Sequence, residues 1–269
     1  MRANDRRGTP RRGPAAVAAV AAVAAVAVLR LAACGPGTRP ASGPPPEVPA
    51  RPLTYVAVGA SETVGFGADD PLSQAWPQVL FHTALPRSAT FINLGIPGET
   101  VAGALDDEVG AAVRLQPQLV TVWLNVNDAL RQVSPADYER DLDTLVGRLR
   151  RGGRTAVLVA DTPPLDRLPA YLACLPGSTG DLPCRLPADL QAPPVAQVLA
   201  VTAAYSAAAA RVAARHGAVL VPLSANVLQA RAAGTEAALY GPDGFHPSTT
   251  GHRRVAEAFA AALARVTLP

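Results

Sequence analysis

Asp243-Gly244-Phe245-His246-Pro247 sets an acid three residues ahead of a histidine across a glycine turn. At that spacing the carboxylate can accept the imidazole Nδ1 proton and leave Nε2 facing outward as a base. Alone, the same residues are equally a helix-entry turn with a solvated acid and a packed histidine. The candidate nucleophile is Ser61. Leu53 to Val58 is a short apolar, β-branched run, Gly59 and Ala60 suit a tight turn, and Ser61 follows where a helix can begin. Such a serine is expected to be presented, not buried, at the carboxyl end of a strand, where open α/β sheets keep their ligand crevice. Most serines in that setting are simply turn or cap residues. Acyl transfer also needs donors aimed at a developing oxyanion. Two turns offer them: Asn93-Leu94-Gly95-Ile96-Pro97-Gly98, where Gly98 allows close backbone approach, and Asn125-Val126-Asn127-Asp128, where an asparagine amide can point inward. Singly, a turn glycine and a loop-capping asparagine explain these as well.

These residues must be positioned by the elements between them, and strand-like and helix-like stretches alternate from Leu53 to the end. Further strands are expected at Thr90–Leu94, Leu119–Leu124, Thr155–Ala160 and Ala218–Pro222. Ser73 can cap a helix carrying Trp76, Leu80 and Ala84, with Pro77 in its first turn. Val101, Leu105, Val109 and Val113 predict an amphipathic helix that stops before Pro117. Ser134-Pro135 opens a helix with Tyr138, Leu142, Leu145, Val146 and Leu149 buried, closed by Gly152. Val195–His216 is an alanine-rich helix ended by Gly217, and Ser248–Arg265 is a closing helix with Val255, Phe259 and Leu263 inward. The pattern predicts an α/β fold: a three-layer α/β/α sandwich around a mostly parallel five-stranded sheet. Asp161 to Pro194 breaks the rhythm with many prolines and leucines, and should hang over the same sheet edge as Ser61. Cys174 and Cys184 lie in it, separated by a turn-rich stretch; in an exported chain they most simply form a disulfide, the alternative being two unpaired thiols. No histidine or third cysteine lies near them for a metal site. His82, His216 and His252 follow no acid at a useful spacing and are expected to be structural or superficial.

The first 34 residues hold six arginines and one acid, a balance of +5, whereas the whole chain carries +3; the remainder is therefore −2. The basic character belongs to the leader, and nothing points to nucleic acid, which requires a clustered basic face on the folded domain. Arg2, Arg6, Arg7, Arg11 and Arg12 precede an unbroken alanine-valine run from Ala15 to Leu29. As a helix that run spans about 22 Å, short of the ~30 Å hydrocarbon core, which favours a secretory signal over a membrane span. Residues 35–52 are rich in proline and glycine and read as an extended tether. Three parts follow: an export signal over 1–34, a linker over 35–52 and a domain over 53–269.

Four blocks, GASETVGFG, NLGIPG, LNVND and DGFHP, now stand in order at strand ends and before the last helix. In that order they resemble the SGNH, or GDSL, hydrolases, and the resemblance spans Leu53 to Pro269. It implies a flavodoxin-like strand order and, residue by residue, Ser61 as nucleophile, His246 as base and Asp243 as its orienter. The implied oxyanion hole is the Ser61 N–H, the Gly98 N–H and the Asn127 amide. Ala60 stands where the family usually has aspartate, and Asn125 where it usually has glycine. Leu31-Ala32-Ala33-Cys34 resembles a bacterial lipobox whose Cys34 is lipidated, except that Arg30 puts a charge among its usual apolar residues. An uncleaved anchor and simple secretion are the competing readings. The expected function is an exported serine hydrolase of carboxylic esters that works through an acyl-enzyme without metal or cofactor. A small-molecule, glycan or lipid ester would be its substrate, a monomer its state, and a lipid anchor its one membrane contact. The alternatives are a non-catalytic surface binding protein on the same fold, or an acyltransferase using the same triad.

Overall fold

The computed structural model describes residues 52–186 and 191–269. The leader with Cys34, and the tether up to residue 51, lie outside the described residues. Five strands form one parallel sheet: β1 Thr54–Gly59, β2 Thr90–Asn93, β3 Leu119–Trp123, β4 Ala156–Ala160 and β5 Val219–Val221. Their order is β2-β1-β3-β4-β5, the flavodoxin order expected. The inner strands β1, β3 and β4 are almost wholly buried and mainly apolar because both faces are covered, whereas the edge strand β2 exposes Thr90 and Asn93 at its ends. Alternation along each strand then sends neighbouring residues to opposite layers. Val56 and Val58 join the layer of the Val101–Asp107, Val109–Arg114, Pro135–Arg150 and Val195–His216 helices. Tyr55 and Ala57 join the layer of the Trp76–Ala84 and Thr249–Leu263 helices.

The Pro135–Arg150 helix shows how the sequence builds one of these layers. The Ser134 hydroxyl caps it by accepting from the Asp137 N–H, Pro135 fits the first turn, and the expected stripe from Tyr138 to Leu149 is buried. Each buried leucine or valine contributes roughly 1.5–3 kcal/mol. Tyr138 stacks on Tyr205 of the Val195–His216 helix with ring centroids 4.0 Å apart. That second helix is long and apolar enough to cross a membrane, yet its Tyr205, Ala208, Ala209 and Val212 are buried in the core.

Four expectations change. Asp70, not Ser73, supplies a cap, to a short Pro71–Gln74 helix that precedes Trp76–Ala84, and the Ser73 hydroxyl donates to the Asp70 carboxylate instead. The segment after Val101 is two helices meeting at Glu108, because Glu108 turns inward to the end of β1. The Pro135–Arg150 helix closes one residue early, with Arg151 itself left-handed at φ 48°. A helix at Leu223–Ala232 and a 3₁₀ turn at Glu236–Leu239, both unforeseen, follow β5.

Candidate active site

The sheet order reverses between β1 and β3, and their register sets Gly59 opposite Trp123. Residues two places beyond each strand therefore emerge at one rim, the crevice where open α/β sheets bind ligands. Ser61 opens a four-residue helix, Ser61–Val64, directly after β1. Gly59 is required before it: a Cβ there would lie 2.1 Å from Thr63 Oγ1 and 2.8 Å from the Trp123 carbonyl oxygen. Being in the first turn, the Ser61 N–H has no intrahelical acceptor. Ser61 is 5% exposed, so the expectation of an openly presented serine is corrected. The His246 ring lies over its hydroxyl, and Phe66 packs against that ring with centroids 5.3 Å apart.

His246 Nε2 is 2.9 Å from Ser61 Oγ, and His246 Nδ1 is 2.5 Å from Asp243 Oδ2. Asp243 Oδ1 accepts from the Phe245 and His246 N–H groups at 2.9 and 3.0 Å, which fixes the carboxylate in the turn. Partial burial opposes ionisation of Asp243, but hydrogen bonds from the His246 ring and from these two N–H groups hold its pKa below the ordinary value. With Nδ1 donating to the carboxylate, Nε2 is left to accept from the serine.

The loop after β2 is fastened to the Ser61 helix. The Asn93 amide donates to the Thr63 carbonyl at 2.7 Å, and the Ile96 N–H donates to the Gly59 carbonyl at 2.9 Å. Gly98 follows with φ 82°, a conformation that favours glycine, and open space lies on the side where a Cβ would stand. Asn127 belongs to a short helix, Val126–Leu130, and its amide donates to the Glu99 carbonyl at 3.0 Å. An amide carries two hydrogens, so that bond leaves one for a ligand. Arg131 donates to the Gly98 carbonyl at 3.0 Å, and Asp128 accepts from the Val101 N–H at 3.2 Å, tying the two loops together. Burial pushes Asp128 up to about 6 against the pull of that N–H. Asn125 is buried, and its amide donates to the Asp161 carbonyl at 3.2 Å, bracing the end of β4.

The loop after β4 reaches the same rim. Cys174 and Cys184 are bonded in a disulfide. The Ala170 N–H donates to the Gly244 carbonyl at 3.0 Å, and a Cβ on Gly244 would lie 2.5 Å from Leu182. This loop thus packs under the Asp243–His246 turn. The other histidines hold structural places: buried His252 accepts from the Trp76 N–H and contacts the Phe66 carbonyl, His216 meets Asp143, and His82 meets Gln78. Burial lowers the His252 pKa below its ordinary value. Among the described residues no group of three or more His, Cys, Asp or Glu side chains is placed to hold a metal ion.

Residues 57–254 match the GDSL-like lipase/acylhydrolase family. The chain belongs to that family. Over 121 residues it is 28% identical to esterase TesA of Pseudomonas aeruginosa, a match to 44% of this chain and 59% of that esterase. In fold, this GDSL-family chain is similar to the crystal structure of TesA (22% identity, TM-score 0.55, 78% of this chain and 98% of that one). It is also similar to the lipase/acylhydrolase from Enterococcus faecalis (19%, TM-score 0.59, 81% and 98%). A third likeness is to a catalytic mutant of the acetylxylan esterase Axe2 from Geobacillus stearothermophilus (18%, TM-score 0.56, 78% and 94%).

Beside the rim, this member of the family has an apolar cavity of about 650 Å³ between the Leu223–Ala232 and Thr249–Leu263 helices. Pro163, Pro164, Leu165 and Leu168 of the long loop line it, as do Trp123 and Phe245; the disulfide end of the loop does not. Glu62, next to Ser61, is 6% exposed and also lines it. Sequence reasoning passed over Glu62, although a charged residue among the apolar and small residues of a strand-end turn is itself a signal.

Proposed function

We propose that the protein is an exported serine esterase in which Ser61, His246 and Asp243 form the catalytic relay. The observation that carries this reading is the unbroken chain of contacts, 2.5 Å from Asp243 Oδ2 to His246 Nδ1 and 2.9 Å from Nε2 to Ser61 Oγ. Family membership and the esterase name of a relative support it. Ser61 Oγ attacks the ester carbonyl carbon as its proton passes to His246 Nε2, and Asp243 stabilises the imidazolium. The tetrahedral oxyanion is met by the Ser61 and Gly98 N–H groups and the free Asn127 amide hydrogen. Collapse breaks the bond to the alcohol oxygen, which takes the proton back from His246. Water then attacks the acyl-enzyme, its proton goes to His246, and Ser61 is released with the acid.

In this reading the apolar cavity takes the acyl chain, so esters of moderately long apolar acids are accepted. The first turn of the long loop contributes its wall, while the disulfide end braces the histidine turn. The arginine-rich leader with its alanine-valine run supports export, and the −2 balance of the remaining chain fits a domain that acts on a small-molecule, glycan or lipid ester. A fluorophosphonate probe tests the reading on the purified domain. Labelling should occur in the wild type and vanish in Ser61→Ala. No labelling of a folded wild type would overturn it in favour of a binding protein.

A further inference from the structure

We propose that Arg231 is a positioning residue for acyl-chain selection, clasping three walls of the apolar cavity at one spacing, an inference that rests on the esterase reading above. The guanidinium uses two edges of its fork. Along one, Nε and Nη2 donate to Glu236 Oε2 and Oε1, both at 2.9 Å. Along the other, Nη2 and Nη1 donate to Asp166 Oδ1 and Oδ2 at 3.0 and 3.3 Å. The Tyr240 hydroxyl also donates to Glu236 Oε1, at 3.1 Å. The three charged side chains are 10–17% exposed. Each comes from a different segment of the cavity wall. Asp166 stands between Leu165 and Leu168 of the long loop, Arg231 between Ala230 and Ala233, and Glu236 between Thr235 and Ala238; all six of these neighbours line the cavity. The charged groups themselves do not, so the clasp lies behind the apolar lining.

Apolar packing is non-directional and lets walls shift, whereas a bidentate pair fixes both distance and angle. A segment that drifted away would also strand a charge that is mostly out of water, which is costly. Loop, helix and 3₁₀ turn are therefore held as one frame. Tyr240 carries that frame on to the histidine turn: it lines the cavity and bridges to Pro247, and the next N–H, of Gly241, donates to the His246 carbonyl at 2.8 Å. An acyl chain in the cavity thus meets walls whose spacing is set relative to the base. Each methylene fully buried against such walls raises kcat/KM by up to about fourfold. Walls free to spread and admit water give less. An acetyl group, with one carbon beyond the carbonyl, draws on them least.

The experiment compares kcat/KM for p-nitrophenyl hexanoate and acetate. The wild type is expected to prefer hexanoate by about 10- to 100-fold, the worth of its additional methylenes at partial burial. Asp166→Ala frees the loop yet leaves Arg231 paired with Glu236, one cation to one carboxylate. It should cut the ratio about five- to tenfold, mainly through a higher KM for hexanoate. Arg231→Lys keeps the charge but has no fork to hold two carboxylates, so it should lower the ratio too, and it decides the matter should Asp166→Ala not fold. A wild-type ratio near one overturns the proposal whatever the variants do. So does a ratio within twofold of wild type in the folded variant, including equal loss on both esters, the mark of a purely structural brace. Fluorophosphonate labelling of the same wild-type sample separates the two readings: labelled protein with an unmoved ratio sinks this proposal alone, and unlabelled protein sinks the esterase reading with it.

Discussion

Replacing Asp243 by asparagine separates the shape of the histidine turn from its chemistry. Asp243 Oδ1 accepts from the Phe245 and His246 N–H groups at 2.9 and 3.0 Å, and asparagine keeps an oxygen for them. At the Oδ2 position, 2.5 Å from His246 Nδ1, asparagine instead presents an NH₂, so two donors face each other. The ring resolves that conflict by carrying its proton on Nε2. Nε2 then points a hydrogen at Ser61 Oγ, 2.9 Å away, and cannot take the serine's proton. Flipping the amide would repair the ring contact but set its NH₂ against the two backbone N–H groups, at about 1–3 kcal/mol for each group left unbonded. The turn therefore survives while the base is lost, and kcat should fall about 10³–10⁴-fold, or roughly 4–5.5 kcal/mol of transition-state stabilisation. Hydrolysis of p-nitrophenyl butyrate measures the loss, with a circular dichroism melt to check the fold. A correctly folded Asp243→Asn that retains kcat within tenfold of wild type would refute the relay.

Asn127→Ala should lower kcat about 10²–10³-fold as the oxyanion loses one donor, and a loss under tenfold in folded protein removes the amide from that role. Replacing Cys174 and Cys184 together by serine should cost up to about 2–3 kcal/mol in urea unfolding and lower kcat for short and long acyl esters alike, because the loop braces Gly244. A loss confined to long chains would place the disulfide loop in the acyl pocket instead. Burial pushes Glu108 up to about 8 against the pull of the Gly59 N–H, from an ordinary 4.5, so the folded chain binds more protons than the unfolded one between those values, and stability falls as pH rises through that window. Glu108→Gln should flatten the fall of Tm between pH 5 and 8, and parallel Tm curves for variant and wild type would contradict it.

The sheet was readable because its inner strands are buried on both faces and so appear as nearly continuous apolar runs between turn residues. All five lie within a residue of the predicted ends. The Pro135–Arg150 helix was readable for another reason: its buried stripe is apolar and its exposed side is charged. Leu223–Ala232 has no such contrast, since Leu223 is its one fully buried residue, and periodicity could not reveal it. At Val101 the period located the inward face but not the break: Val101 and Val109 are buried and Leu105 and Val113 pack on the same core, while Glu108, buried between Ala104 and Ala112, presents a carboxyl to the end of β1.

In the candidate site, what was legible is what is local. Asp243 and His246 are three residues apart, and each of the other blocks is a turn whose residue types follow from its own backbone. Contacts between blocks depend on residues far apart in sequence: Asn93 on Thr63, Asn127 on Glu99, Glu108 on Gly59, and Gly67 against the Pro247 carbonyl. The two departures from the family pattern are understandable only at this level. Asn125 brings an amide that holds the Asp161 carbonyl, a contact glycine could not make. Ala60, at the N-cap of the Ser61–Val64 helix, offers no side-chain oxygen for the helix N–H groups. Glu62, an acid in the first turn of that same helix, puts a negative charge near its N-terminus, where the helix dipole favours one. That acid is buried and lines the apolar cavity, so the first block, altered at Ala60, sets a carboxyl beside the nucleophile in sequence and at the cavity wall in space.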